Sequence, residues 1–198
     1  MSLAIVQCRA QLGIDAPSVT VEVFLSGGLP SFSIVGMAET AVRESKDRVR
    51  SALITSGFKF PRERITVSLG PADMRKAGGR FDLAIALGIL AASKKIPVES
   101  LPGIEAYGEL GLDGELRSVP AMLVSAMHAR AAGNAMIVPL QNGSEAAVAK
   151  ASVLPAANLL EVTAHLQGRM VIEPLPALSP PTATSRDADL SDVRGQAH

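Results

Sequence analysis

Two periodicities alternate along the chain. Residues 3–10 (LAIVQCRA) and 19–25 (VTVEVFL) are rich in apolar and β-branched residues. The second alternates strictly, with Val19, Val21, Val23 and Leu25 on one face, so both predict strands. Gly27, Gly28 and Pro30 punctuate a turn, and residues 31–36 predict a third strand. The period then becomes helical over 39–57, where Val42, Val49 and Leu53 fall within about 40° of one another and Gly57 supplies a stop. Residues 64–71 return to the strand pattern and close at Pro71.

A polar loop, 72–80, leads into 82–93, which is apolar all round. That pattern predicts a helix buried in the middle of the fold, with Asp82 as its N-cap. Residues 104–110 predict a strand running into a two-residue hairpin at Asp113-Gly114. Pro120 and Gly133 bracket a helix over 120–132, followed by a buried strand over 135–139. A small helix (144–151), a short strand near Val153 and a helix over 157–167 ending at Gly168 complete a domain of residues 1–172. Strands and helices alternating around one buried helix specify an α/β or α+β domain with a mixed sheet.

From Pro174 the character changes: four prolines fall between 174 and 181, then three aspartates follow with no core-forming run. Residues 173–198 therefore predict a flexible linker, and a linker with nothing after it predicts a piece of a longer protein. The first residues contain no basic leader, and the longest uncharged apolar run, Leu83 to Ser93, is far short of the roughly 20 residues a membrane helix needs. These features predict a soluble, cytoplasmic protein with no membrane partner.

Composition narrows the function. The 198 residues carry 19 basic and 19 acidic side chains, which removes the polycationic character of a nucleic-acid packer. Aromatic residues make up only 3%, which argues against extended stacking platforms. Cys8 is the sole cysteine, so disulfide scaffolds and multi-thiolate zinc sites are excluded, and a buried structural thiol is expected. The charge is nonetheless polarised. Between Arg43 and Arg80 ten basic residues face four acidic ones, an excess able to attract phosphate backbones or an acidic surface. Arg43–Asp47 and Glu44–Arg48 are spaced for ordinary i,i+4 pairing, which offsets part of that excess.

The usual catalytic patterns are missing: no phosphate loop, no Gly-x-Ser-x-Gly elbow, no His-Glu-x-x-His. His128 and His165 lie on separate helices without carboxylates at ligand spacing and read as packing or surface residues. Loop 72–82 is the unusual feature. Gly78-Gly79 permits close approach of an anion to a helix start, with Arg75, Lys76 and Arg80 around it, although two glycines equally serve tight packing. Candidate nucleic-acid contacts are Arg43, Lys46, Arg50, Arg75, Lys76 and Arg80.

Together, SLAIVQCRAQLGIDAPSVTVEV, GLPSFSIVGMAETAVRESKDRVRSALITSGFKFP, RITVSLGPADMRKAGGRFDLAIALGIL and GELGLDGELRSV resemble the amino-terminal domain of the ComM/YifB family, magnesium-chelatase-like AAA+ ATPases. The resemblance runs in order from about residue 2 to 168, and DLSDVRGQAH (189–198) resembles the lead-in to that family's ATPase module. It implies a fold similar to the Lon proteolytic domain, a mixed sheet with helices on one side that is shared with a ribosomal protein domain. Lon-type proteases carry a serine nucleophile in a Gly-Pro-Ser-Ala-Gly turn and a lysine base on a later helix. Here the turn corresponds to Gly78-Gly79-Arg80-Phe81-Asp82, so Arg80 stands at the nucleophile's place and Leu123 at the base's. An arginine is neither nucleophile nor base at neutral pH, and a leucine accepts no proton.

The resemblance therefore implies a non-catalytic accessory domain with no cofactor of its own, in a parent using ATP and Mg2+ downstream. It further implies a hexameric ring that moves branched DNA in natural transformation, the domain serving assembly or contact with branched or single-stranded DNA. A protein-interaction module without DNA contact is the principal alternative; a Lon-like peptidase and a magnesium chelatase subunit are weaker ones.

Overall fold

In the computed structural model, which describes residues 1–36 and 38–176, the predicted elements appear in the predicted order. Strands β1 (Ser2–Arg9), β2 (Ser18–Ser26), β3 (Ser31–Val35) and β4 (Arg64–Gly70) belong to a seven-stranded sheet with β5 (Ile104–Ala106), β8 (Ala135–Pro139) and β9 (Ser152–Ala156). The order across the sheet is β3-β4-β2-β1-β5-β8-β9. Strands β1–β2 and β2–β4 pair antiparallel and the other four pairs are parallel, so the sheet is mixed and mostly parallel. A separate two-stranded ribbon joins β6 (Glu109–Leu110) to β7 (Leu116–Arg117).

Helix α2 (Asp82–Ala92) is buried along its whole length, as its unbroken apolar run requires. It lies so close to the sheet that a Cβ at Gly88 would come within 2.4 Å of Val23 Cγ2. Helix α1 (Thr40–Thr55) covers α2 with Val42, Ser45, Val49, Ala52 and Leu53. It stops where Gly57 adopts φ +81°, a left-handed conformation that closes the last turn through Phe58 N–H to Leu53 O. Helices α3 (Met122–Ala131), α4 (Gly143–Ala147) and α5 (Leu159–Leu166) pack at the β8–β9 end.

Several details depart from the sequence expectation. Residues 104–110 are not one strand: Gly108, at φ +143°, turns the chain away from β8 and accepts from Leu83 N–H at the start of α2. The hairpin is wider than two residues, since Gly111 N–H donates to Glu115 O and Asp113 Oδ1 accepts from Glu115 N–H. Asp82 is not a cap but the first residue of α2, because its carboxylate is drawn to partners on other elements. Helix α3 begins after Pro120, at Met122, with Ala121 left-handed at φ 56° and Leu123 N–H received by Glu145 Oε1. Past α5, Ile172 N–H donates to His165 Nδ1, and Leu175 N–H donates to Val153 O on β9. The folded body thus includes the first residues assigned to the linker; the remainder of that linker, 177–198, lies outside the described residues, as does the 189–198 lead-in.

The arrangement with helices on one side of the sheet holds for only half of it. Along β1, β2 and β4 alternate residues are buried, while the opposite face leaves Leu3, Ile5 and Phe24 exposed, and Val35 on the edge strand β3 is separated from Ile5 by Glu22 and Ser68. On β8, by contrast, Met136, Ile137, Val138 and Pro139 are buried in succession, so that strand is covered on both faces. Among the described residues, no helix is long and apolar enough to cross a membrane.

Candidate functional site

Helix α1 carries the outward part of the basic segment. At 100° per residue, Arg43, Lys46 and Arg50 fall within about 60° of one another and extend over about 10 Å. Arg43 and Arg50 are exposed and Lys46 half-buried. Arg75 joins this stripe at the start of α1, where it shares a depression of about 500 Å³ with Arg43 and Thr40 and pairs with Glu39 (2.9 Å). Neither expected i,i+4 pair forms. Arg43 Nε donates to Ala38 O instead, and Arg48 turns inward to Asp82.

The other two candidate contacts point into the protein, and this corrects the sequence reading. Lys76 is fully buried and its Nζ donates to Pro71 O; burial holds its pKa below the usual lysine value. Arg80 is only 4% exposed, with its guanidinium 5.9 Å from the Tyr107 ring centre and Nη2 donating to Pro120 O at 3.0 Å. Its Nε and Nη1 find no partner. Long aliphatic stems let both cations reach carbonyls inside the fold, five residues away for Lys76 and forty for Arg80, which residue type alone does not announce.

The Gly78-Gly79 turn borders a cleft of about 270 Å³ that Arg80, Glu109, Ser118 and Pro120 also line. A Cβ at Gly79 would lie 2.3 Å from Glu109 Oε2, so the Glu109 side chain would have to move to admit one. This favours the packing explanation for that glycine over an anion seat, since a carboxylate already occupies the approach. Leu123 packs against the hydrophobic core. The lining of this cleft contains a serine, Ser118, but no lysine or histidine.

Buried charge is concentrated in two clusters. Asp82, on α2, receives Ser45 Oγ–H, Arg48 Nε at 2.7 Å and Leu110 N–H at 3.2 Å. Burial raises its pKa, and the Arg48 and Ser45 hydrogen bonds oppose that rise. Glu105, on β5, accepts from Arg9 Nε and Nη2, Asn134 Nδ2 and Tyr107 O–H, which joins β1 to β5. Cys8 is buried as expected, and burial pushes its thiol up to about 12. Among the described residues, no three His, Cys, Asp or Glu side chains converge where they could hold a metal ion.

A second basic grouping was not legible in the sequence. Lys59 and Arg62, after α1, share an open cleft of about 540 Å³ with Lys94 and Lys95, after α2. The two pairs lie more than thirty positions apart in the chain, and only the packing of α1 on α2 brings them together.

The chain is similar to known proteins along its length. Residues 21–142 match the family model described as subunit ChlI of Mg-chelatase. Over 199 aligned residues the chain is 48% identical to the uncharacterized protein YifB of Salmonella typhimurium, covering 99% of this chain and 39% of that protein. The YifB protein of Escherichia coli is 46% identical with the same coverage. The competence protein ComM of Haemophilus influenzae is 43% identical over 203 residues, covering all of this chain and 40% of ComM. The chain thus spans about two fifths of the length of these relatives.

Proposed function

Because the chain belongs to the magnesium-chelatase-like ComM/YifB family, we propose that it is a non-catalytic accessory domain of a ComM-like AAA+ ATPase acting in DNA branch migration during natural transformation. On this reading it is cytoplasmic, contributes a tier to a hexameric ring and touches branched DNA through α1. The observation that carries the DNA contact is that the exposed Arg43 and Arg50 and the half-buried Lys46 share one face of α1, with Arg75 beside Arg43 at the start of the helix. The non-catalytic reading is supported by Arg80 and Leu123 at the places where a related protease would need a serine and a lysine.

On this reading the chain itself holds neither ATP nor Mg2+. It has no phosphate-loop sequence, and its described residues gather no cluster of metal-ligating side chains. The reading therefore assigns both to the ATPase module of the longer protein. Reversing Arg43, Lys46 and Arg50 to glutamate should weaken binding of forked DNA at least tenfold and flatten its salt dependence by about 0.9 per lost phosphate contact. Binding unchanged by these reversals would leave α1 without a DNA role.

The alternative, a protein-interaction module without DNA contact, is favoured by one feature. The uncovered sheet face presents Leu3 opposite Phe24, with Ile5 next on β1, a grouping of apolar side chains that suits a protein surface better than a phosphate backbone.

A further inference from the structure

The cleft between the loop after α1 and the turn after α2 is lined by Lys59, Arg62, Lys94 and Lys95 with a single carboxylate, Glu63. All four cations are exposed, and none forms an ion pair with a described residue. Phe60, half-buried against the core, lines the same cleft and also an adjoining depression of about 240 Å³ with Phe32 and Arg50. The two rings meet at 6.0 Å, and the Arg50 guanidinium lies 5.2 Å from the Phe60 centre. Two of the five phenylalanines in an aromatic-poor chain are therefore gathered beside a concentration of positive charge.

Lys94 ends α2 in a left-handed conformation that Lys150 also adopts, at φ 55°. Lys94 occupies φ 59°, where its N–H reaches Ala91 O and Lys95 N–H reaches Leu90 O. Glycine adopts this conformation without strain, whereas a lysine there is held against its own preference. The negative end of the α2 dipole accounts for a cation at this turn. It does not account for Lys59 and Arg62 converging on the same space from the opposite side.

We infer that this cleft is a binding site for single-stranded nucleic acid, with the four cations taking successive phosphates and the Arg50–Phe60 stack receiving an unpaired base. Cations with adjacent aromatic surface are what a strand with splayed bases requires, whereas a duplex offers its backbone but keeps its bases from the rings. This assigns a surface separate from the α1 stripe, sharing only Arg50 with it, and deepens the branched-DNA reading above, on which it rests for the class of ligand.

The test is fluorescence anisotropy of a labelled 15-nucleotide oligothymidylate, titrated with the 198-residue chain at several salt concentrations. Lys94→Glu with Lys95→Glu should lower affinity at least tenfold and reduce the log–log salt slope by about 1.4, two contacts at about 0.7 each. Lys94→Gly should weaken binding severalfold while raising the melting temperature, which separates ligand contact from folding. Arg43→Glu with Lys46→Glu should impair forked-duplex binding and leave the oligothymidylate within twofold, so each reading can fail alone. The inference is overturned if the unaltered chain does not bind the oligomer at low salt, or if the Lys94 and Lys95 variants bind it equally well. Equal competition by a polyglutamate peptide would reassign the cleft to an acidic protein, and full displacement by thymidine monophosphate would reassign it to a free nucleotide.

Discussion

Arg48 on α1 holds Asp82 at the start of α2 through an Nε–Oδ2 contact of 2.7 Å, with the carboxylate entirely buried. Ser45 and Leu110 N–H complete the carboxylate's partners, so one side chain ties α1, α2 and β6 together directly beside the Gly78-Arg80 turn. Removing one member of a buried pair leaves a charge without compensation. Arg48→Ala should therefore destabilise the fold by about 3–5 kcal/mol near neutral pH, measured by urea unfolding. The loss should shrink on acidification. Burial already raises the Asp82 pKa, and without Arg48 it rises further, so the folded state keeps a proton that the unfolded chain releases. The variant accordingly regains stability as pH falls through the folded-state value and loses it as pH rises.

The approach of α2 to the sheet makes Gly88 intolerant of a side chain. An added methyl would lie 2.4 Å from Val23 Cγ2 in a region with no exposed surface. Gly88→Ala should cost about 1–3 kcal/mol through overpacking, despite the better helix propensity of alanine. Pairing it with Val23→Ala should recover part of that loss, and a double-mutant cycle reads the coupling.

Arg80 should be dispensable for folding. Two of its guanidinium nitrogens lack partners, and its charge is buried without a carboxylate pair of its own. Replacement of such a cation by an apolar side chain of similar length is commonly neutral or stabilising. Arg80→Met should leave the melting temperature unchanged or raise it, and should leave DNA binding unchanged. A drop of more than about 2 kcal/mol would show that the Pro120 carbonyl and the Tyr107 ring compensate the charge more fully than this geometry suggests.

Cys8 should be inert in the native protein. Its thiol is completely buried and held at about 12, so almost none is thiolate at pH 8. A thiol-exchange reagent should react with none of the folded chain and with one equivalent after denaturation. Fast native-state labelling would mean that β1 opens far more readily than its pairing with β2 and β5 implies.

Helix α5 offers a local test of capping. Asn158 accepts from Glu161 N–H at 2.9 Å while Glu161 accepts from Ala157 N–H, a reciprocal cap on the last helix. Asn158→Ala should cost about 1 kcal/mol, read as a shift in the urea midpoint without a change in slope.

The elements were legible from the chain alone, because their signals are local. Strict alternation made β2, an unbroken apolar run made α2 a buried helix, and Gly57 ended α1 where its left-handed conformation was needed. Backbone geometry converts such patterns into strands and helices without reference to the rest of the chain. The destination of each polar side chain depended instead on how the elements pack. Asp82 looked like a cap but serves Ser45 and Arg48, more than thirty residues away. Lys76 and Arg80 carried the same sign as Arg43 and Arg50, yet their ends turn inward to the carbonyls of Pro71 and Pro120. Lys59 and Lys94 became neighbours of one cleft only through the packing of α1 on α2. A flexible charged side chain has nearly equal local reasons to face water or a buried acceptor, and the choice rests on atoms that distant elements bring to it.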